Sequence, residues 1–319
     1  MLNLKAGEVV EIRTEEEIQA TLDSNGACEG IPFMPEMRDF CGKSYRVYKR
    51  ADKICVEGSY VSKLKNTVML DEVRCDGADH DGCKRMCLIF WKEAWLKRAQ
   101  AGAPPESPPN WLSVPEVKVG PISAEKVYYC QSTALPKAVE HLSGWDMGQY
   151  VRDVTSGSFT LWQVTKAVFI SLFNAILRRA GGGEFGDAAG KEIKTPAISL
   201  HLQQGDIVQV KTRKEIEATI DVEGKNRGLR IDYEMLRHAG KQFRVLRRVD
   251  RIILETNGKM RPIQNTVLLN NAACEGLCRR ACARGSHPMW REAWLKRVAK
   301  SEDHENKRIS TQITSEKEG

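Results

Sequence analysis

The residues best suited to chemistry crowd into one short stretch. Cys75, His80, Cys83 and Cys87 fall within CDGADHDGCKRMC, and Cys41 sits in the turn FCGK ahead of a β-branched run. Zinc takes four thiolate or imidazole ligands in a tetrahedron. A Cys-x4-His-x2-Cys loop delivers three of them from Cys75, His80 and Cys83, and Cys41 or Cys87 would supply the fourth. A closed set of this kind is structural, because a catalytic zinc keeps one position for water. Two other readings stay open: an iron–sulfur cluster, and plain buried thiols.

The stretch returns. CDGADHDGCKRMCLIFWKEAWLKR, starting at Cys75, aligns without a gap on CEGLCRRACARGSHPMWREAWLKR, starting at Cys274. Cys83 falls on Cys282, Trp91 on Trp290 and Trp95 on Trp294. The second copy departs where the metal matters: Arg279 replaces His80 and Ala239 replaces Cys41. Cys274, Cys278 and Cys282 remain, with His287 or His238 to complete them, so a second site is either rearranged or lost.

The elements that must position these residues are also duplicated. GEVVEIR at Gly7 recurs as GDIVQVK at Gly205, KSYRVYKRAD as KQFRVLRRVD, and NTVML as NTVLL. Such a period marks one structural unit used twice. Short alternating β-branched runs separated by Asn, Gly, Asp and Pro predict strands. The expected fold is mainly β with an α-helical insert: two tandem SH3-like small barrels joined by a linker carrying a long apolar or amphipathic helix. The predicted divisions are 1–100 for the first repeat, 101–200 for the linker and helical segment, 201–299 for the second repeat, and 300–319 for a charged, disordered tail. The ending WKEAWLKR reads as a helical turn or a closing strand, with a short helix favoured.

Between the repeats, AGAPPESPPNW predicts an extended linker. Phe159 to Leu177 is a 19-residue apolar run. Gln163, Lys166, Ser171 and Asn174 share one side of its helical wheel, which predicts an amphipathic helix at about 159–178 with its apolar side packed on the barrels. Peripheral membrane contact through 159–177 is the alternative, ahead of a bilayer span.

Composition sets the outer limits. The chain has 319 residues, 41% hydrophobic content and a net charge of +7, which excludes disorder throughout and does not demand nucleic acid. The N-terminus lacks a signal-peptide pattern, so the expected location is cytoplasmic, where ten cysteines favour metal ligation or burial over disulfides. Arg46, Arg50, Arg244 and Arg248, on equivalent predicted strands, could form a binding face with Trp91, Trp95, Trp290 and Trp294, tracking single-stranded nucleic acid. No phosphate loop, dinucleotide fingerprint or nucleophile elbow is present, so catalysis is not indicated. The recurring acids Glu17, Asp23 and Glu36 are accounted for by the duplication itself.

Taken together, LDSNGACEGIPFMPEMRDFCGKSYRVYKRADKIC, NTVMLDEVRCDGADHDGCKRMCLIFWKEAWLKR and SGWDMGQYVRDVTSG resemble a family of uncharacterised bacterial proteins. The resemblance implies Cys41, Cys75, His80 and Cys83 as the ligand set, and an association with genes for polysaccharide or secondary-metabolite assembly. The expected function is a non-enzymatic binding or scaffold protein with structural zinc and a protein or peptide partner. The alternatives are single-stranded nucleic-acid binding, or an enzyme or accessory factor in polysaccharide or natural-product assembly.

Overall fold

The computed structural model describes residues 1–57, 61–100, 102–115, 119–123, 125–277 and 280–298. The first repeat runs β1 (Val9–Ile12), α1 (Glu15–Gln19), β2 (Ala27–Cys28), β3 (Ile31–Pro32), β4 (Ser44–Arg50), β5 (Ile54–Cys55), β6 (Val61–Lys63), β7 (Thr67–Arg74), β8 (Leu88–Lys92) and β9 (Leu96–Arg98). The middle segment holds α2 (Gln131–Ala138), β10 (Glu140–His141), α3 (Met147–Thr155) and α4 (Leu161–Arg179). The second repeat follows as β11 (Ile207–Val210), α5 (Arg213–Glu217), β12 (Lys225–Asn226), β13 (Leu229–Arg230), α6 (Tyr233–Leu236), β14 (Gln242–Arg248), β15 (Arg251–Ile253), β16 (Met260–Pro262), β17 (Thr266–Leu269), β18 (Trp290–Arg291) and β19 (Leu295–Arg297).

The chain is therefore mainly β, and each repeat is built on a five-stranded antiparallel sheet. The order is β8-β7-β4-β1-β9 in the first and β18-β17-β14-β11-β19 in the second. The alternation read from the sequence is real: Val10 and Ile12 of β1, and Val208 and Val210 of β11, point into their cores. Both sheets bulge at the same place, between Val47 and Lys49 and between Val245 and Arg247. No ladder joins β8 to β9 or β18 to β19 among the described residues, so each sheet is an open half-barrel.

WKEAWLKR is not an α-helix. Its first residues end β8, Glu93–Trp95 make one 3-10 turn, and β9 then closes onto β1. The turn aims a carboxylate inward. Glu93 accepts hydrogen bonds from three successive backbone N–H groups, Leu2, Asn3 and Leu4, at 2.8, 3.1 and 3.1 Å. Glu292 does the same with Leu200, His201 and Leu202. Such a concave run of N–H groups is an anion nest, and here the chain fills it with its own acid. The recurring Glu17 and Asp23 are likewise structural. Glu17 completes a capping box with Thr14, as Glu215 does with Thr212. Asp23 accepts from Asn25 and Ala27 in a turn, as Asp221 does from Glu223 and Lys225.

The repeats pack against each other reciprocally. Backbone N–H of Lys84 donates to Arg251 O at 3.0 Å, and the equivalent Ala283 donates to Lys53 O at 2.9 Å. Cys83 Sγ accepts from Ile253 N at 3.4 Å, and Cys282 Sγ accepts from Cys55 N at 3.0 Å. Glu57 N donates to Glu255 Oε1 at 2.9 Å, while Glu255 N donates to Glu57 Oε2 at 3.3 Å. When residue i meets j and the equivalent of j meets the equivalent of i, the two halves are related by a local two-fold axis, as in an isologous dimer.

The middle segment is bound to this body. Trp111 is buried, and its Nε1 donates to Glu72 O at 3.0 Å, so the Pro-rich linker is anchored at its end. Gln131 at the start of α2 accepts from Phe90 N at 2.7 Å and donates to Phe90 O at 2.8 Å, covering the edge of β8 as another strand would. Asp153 of α3 forms a buried ion pair with Lys53. The charged tail expected from residue 300 lies outside the described residues.

Candidate functional site

Three ligand-type side chains meet on the first repeat. Pro35 starts a 3-10 turn over Pro35–Phe40 that carries Glu36. Cys75 follows the last residue of β7, and His80 ends a short turn over Ala78–His80. Gly77 makes that turn feasible: its φ is 81°, and a Cβ there would lie 2.0 Å from Cys83 O. The ligand atoms of Glu36, Cys75 and His80 lie within 4.8 Å of one another, so the cluster could hold a metal ion.

Its electrostatics fit that role. His80 Nε2 is 3.1 Å from Glu36 Oε1, and both side chains are almost fully buried. Glu36 Oε2 is buried with no close nitrogen or oxygen partner among the described residues, and the Cys75 thiol is its neighbour in the cluster. Burial raises the Glu36 carboxyl, but the hydrogen bond and charge of His80 outweigh it and hold the group below its ordinary value. Burial lowers His80, and Glu36 more than restores it, so the imidazole rises. The Cys75 thiol is pushed well up, first by burial and then by Glu36. A carboxylate, a thiolate and an imidazole are hard, soft and borderline donors, a mixed set that a divalent transition metal can take.

The other expected ligands are not part of this cluster. Cys41 ends the turn that carries Glu36, but its Sγ contacts Met37 O at 3.9 Å. Cys83 is committed to the seam through Ile253 N, and burial raises its thiol to about 11. Cys87 pairs with Ser132 Oγ at 3.5 Å. Cys41, Cys83 and Cys87 thus lie outside the cluster that Glu36 forms with Cys75 and His80. Glu36 recurs as Glu234, but burial, the property that makes it a ligand, cannot be seen in one sequence.

The second repeat resolves the same position differently. Glu234 is buried where Glu36 is, yet it accepts from Leu277 N at 2.8 Å and pairs with Arg237 Nη1 at 3.0 Å. Arg237 also holds Glu275, at 2.9 Å. Its counterpart in the first repeat is Asp39. Cys274 Sγ accepts from Gly276 N, and Cys282 Sγ from Cys55 N and Arg284 N. Burial would raise the Cys282 thiol, but these donors bring it down to about 7. His287 faces a separate cleft, and Cys278 lies outside the described residues. No second metal cluster forms among the described residues.

The expected nucleic-acid face is also corrected. Trp91, Trp95, Trp290 and Trp294 are 0% exposed and cannot stack on a base. Arg50 and Arg248 hold the buried carboxylates Glu93 and Glu292 at 2.7 and 3.0 Å. Arg46 and Arg244 are exposed but donate to Gly7 O and Gly205 O.

The exposed apolar surface lies elsewhere. On α4 the covered side is Val164, Ala167, Ile170 and Asn174, with Gln163, Lys166 and Ser171 half-buried beside them. Asn174 Oδ1 accepts from Phe185 N at 2.6 Å. The larger apolar side faces outward: Trp162 is 73% and Phe169 70% exposed, and Leu172, Phe173 and Ile176 continue the stripe. Trp145, just ahead of α3, is 87% exposed, and Met147 and Val151 of α3 are exposed as well. This reverses the expectation that the apolar side packs inward. No helix among the described residues is long and apolar enough to cross a membrane.

No family model, no curated protein and no solved structure matches this chain. The motif resemblance therefore brings no fold or activity with it, and the functional reading rests on the geometry alone.

Proposed function

We propose that this chain is a non-enzymatic binding or scaffold protein. In this reading its two half-barrels are SH3-like units, a structural zinc ion on Glu36, Cys75 and His80 fixes the first, and the α3–α4 face docks a partner protein. The exposed α3–α4 surface carries the reading. A folded chain rarely leaves a row of large apolar side chains uncovered along one helix face without a use for it. Its composition is that of an interface centre: Trp, Phe and Met with Arg178 and Arg179 at one end, and no Lys or Glu among the outward apolar positions. The covered side of α4 anchors the helix to the rigid body, so little ordering is needed on docking.

The test uses the full chain and a Trp162→Ser, Phe169→Ser variant, whose fold is checked by circular dichroism. In-cell crosslinking should yield a protein bound to the wild type and lost from the variant. Identical crosslinks for both would overturn the assignment. So would co-sedimentation with anionic vesicles in place of any protein, or a doubling of mass that the variant abolishes, which would make the partner a second copy.

A further inference from the structure

A cleft of about 440 Å3 opens where the two repeats meet the end of the linker, away from both the metal cluster and the α3–α4 face. Glu72 of the first repeat and Asn271 of the second both line it. The two residues are equivalents in the duplication, three positions ahead of Cys75 and Cys274. Both have left-handed backbones, with φ of 51° and 58°. An L-residue other than glycine is strained there, and strain of this kind collects at sites of use.

His287 supplies the stronger signal. It lines the cleft, is 9% exposed, and neither ring nitrogen has a hydrogen-bond partner among the described residues. Its equivalent in the first repeat is the apolar Leu88. Burial, aided by the charge of Arg74, holds the imidazole neutral, at about 3. A neutral imidazole has one N–H donor and one bare acceptor nitrogen. Leaving each unpaired costs about 1–3 kcal/mol, which Leu at this position would avoid.

The cleft asks for groups that donate and accept at once. The carboxamides of Asn110, Asn270 and Asn271 have the same double character as the imidazole. The two carboxylates do not call for a cation, because Glu72 is paired with Arg74 at 3.0 Å and Glu275 with Arg237 at 2.9 Å. Trp111 adds an apolar wall whose own N–H is already bonded to Glu72 O. Hydroxyl groups on a compact carbon frame match all of these. We propose that this cleft binds a small neutral polyhydroxylated molecule of monosaccharide size, with a ligand hydroxyl bonded to one ring nitrogen of His287.

The probes are glucose, galactose, mannose, N-acetylglucosamine and myo-inositol, titrated into the full-length protein while the His287 ring signals are followed by NMR. At least one should shift them saturably with a Kd of roughly 1 mM or lower, a range equivalent to modest binding. His287→Leu, which installs the residue that its equivalent position already tolerates, should fold and weaken that ligand by at least about tenfold. Asn271→Ala should weaken it without moving the fold. The proposal is overturned if no probe saturates the shift, if His287→Leu binds equally well, or if glucosamine or glucuronate binds more tightly than every neutral probe. A stabilised His287→Leu protein with no sugar response in the wild type would show that the imidazole holds only an ordered water.

Discussion

The turn around Glu36 and the turn around Glu234 pose one problem and solve it twice. Each buries a carboxylate in the short turn that leads into β4 or β14. A buried charge needs a partner of opposite sign. In the second repeat that partner is permanent, because Arg237 comes from the same turn and cannot lose its proton. In the first, Asp39 stands at the matching position and the compensation falls to His80. On the proposed zinc reading, an arginine written into the chain and an ion taken from solution would be alternative ways to balance the same acid.

Removing the ligand set should produce the largest effect. Cys75→Ser and His80→Ala should each abolish bound metal and destabilise the first repeat by several kcal/mol, since structural zinc supplies folding energy directly. Elemental analysis of protein purified without chelator should give one zinc per chain for the wild type and none for either variant. Cys41→Ser should keep the metal. A fully folded wild type free of metal would break the comparison, because His80 alone would then suffice.

Arg237→Ala should come next. It takes from buried Glu234 the guanidinium at 3.0 Å, a loss of roughly 3–5 kcal/mol for breaking a buried pair. Denaturant unfolding should show this loss with and without chelator. A chelator-sensitive penalty would mean that the second repeat also borrows a metal, and the two turns would not be alternatives.

The smallest effect concerns pH and the pair Leu88 and His287. The folded imidazole is lowered from 6.5 to about 3 by burial and by Arg74, against a weaker pull from Glu72. Between those values the unfolded chain binds a proton that the folded chain refuses. Stability from this group is therefore complete above pH 6.5 and falls as the solution is acidified. From pH 6.5 to 5 the loss is about 2 kcal/mol at 1.36 kcal/mol per unit. His287→Leu should lose less than the wild type over that range, and parallel acid profiles for the two proteins would contradict the buried neutral state.

Local pattern carried much of this to the surface of the sequence. The duplicated strands, the paired tryptophans and the departure at Arg279 could all be read because each depends on residue type and spacing. What depended on distant neighbours could not be read. Glu36 became a ligand only through burial against His80, and Cys83, in the right spacing for zinc, went to Ile253 of the other repeat. In α4 the wheel revealed two unlike sides but not which one the body would cover, and the smaller side, Val164, Ala167 and Ile170, proved to be the one that fits.

The reciprocal seam has one more consequence. Were the halves separate identical chains, every residue on the axis would meet its own copy, and the cleft would be walled by Glu72 facing Glu72 or Asn271 facing Asn271. Covalent fusion removes that constraint while replacing bulk concentration with a high, fixed effective concentration of one half for the other. The pair stays together at any dilution, and each side is free to specialise: one balances its buried acid with a histidine, the other with an arginine, and the shared cleft acquires walls of different chemistry.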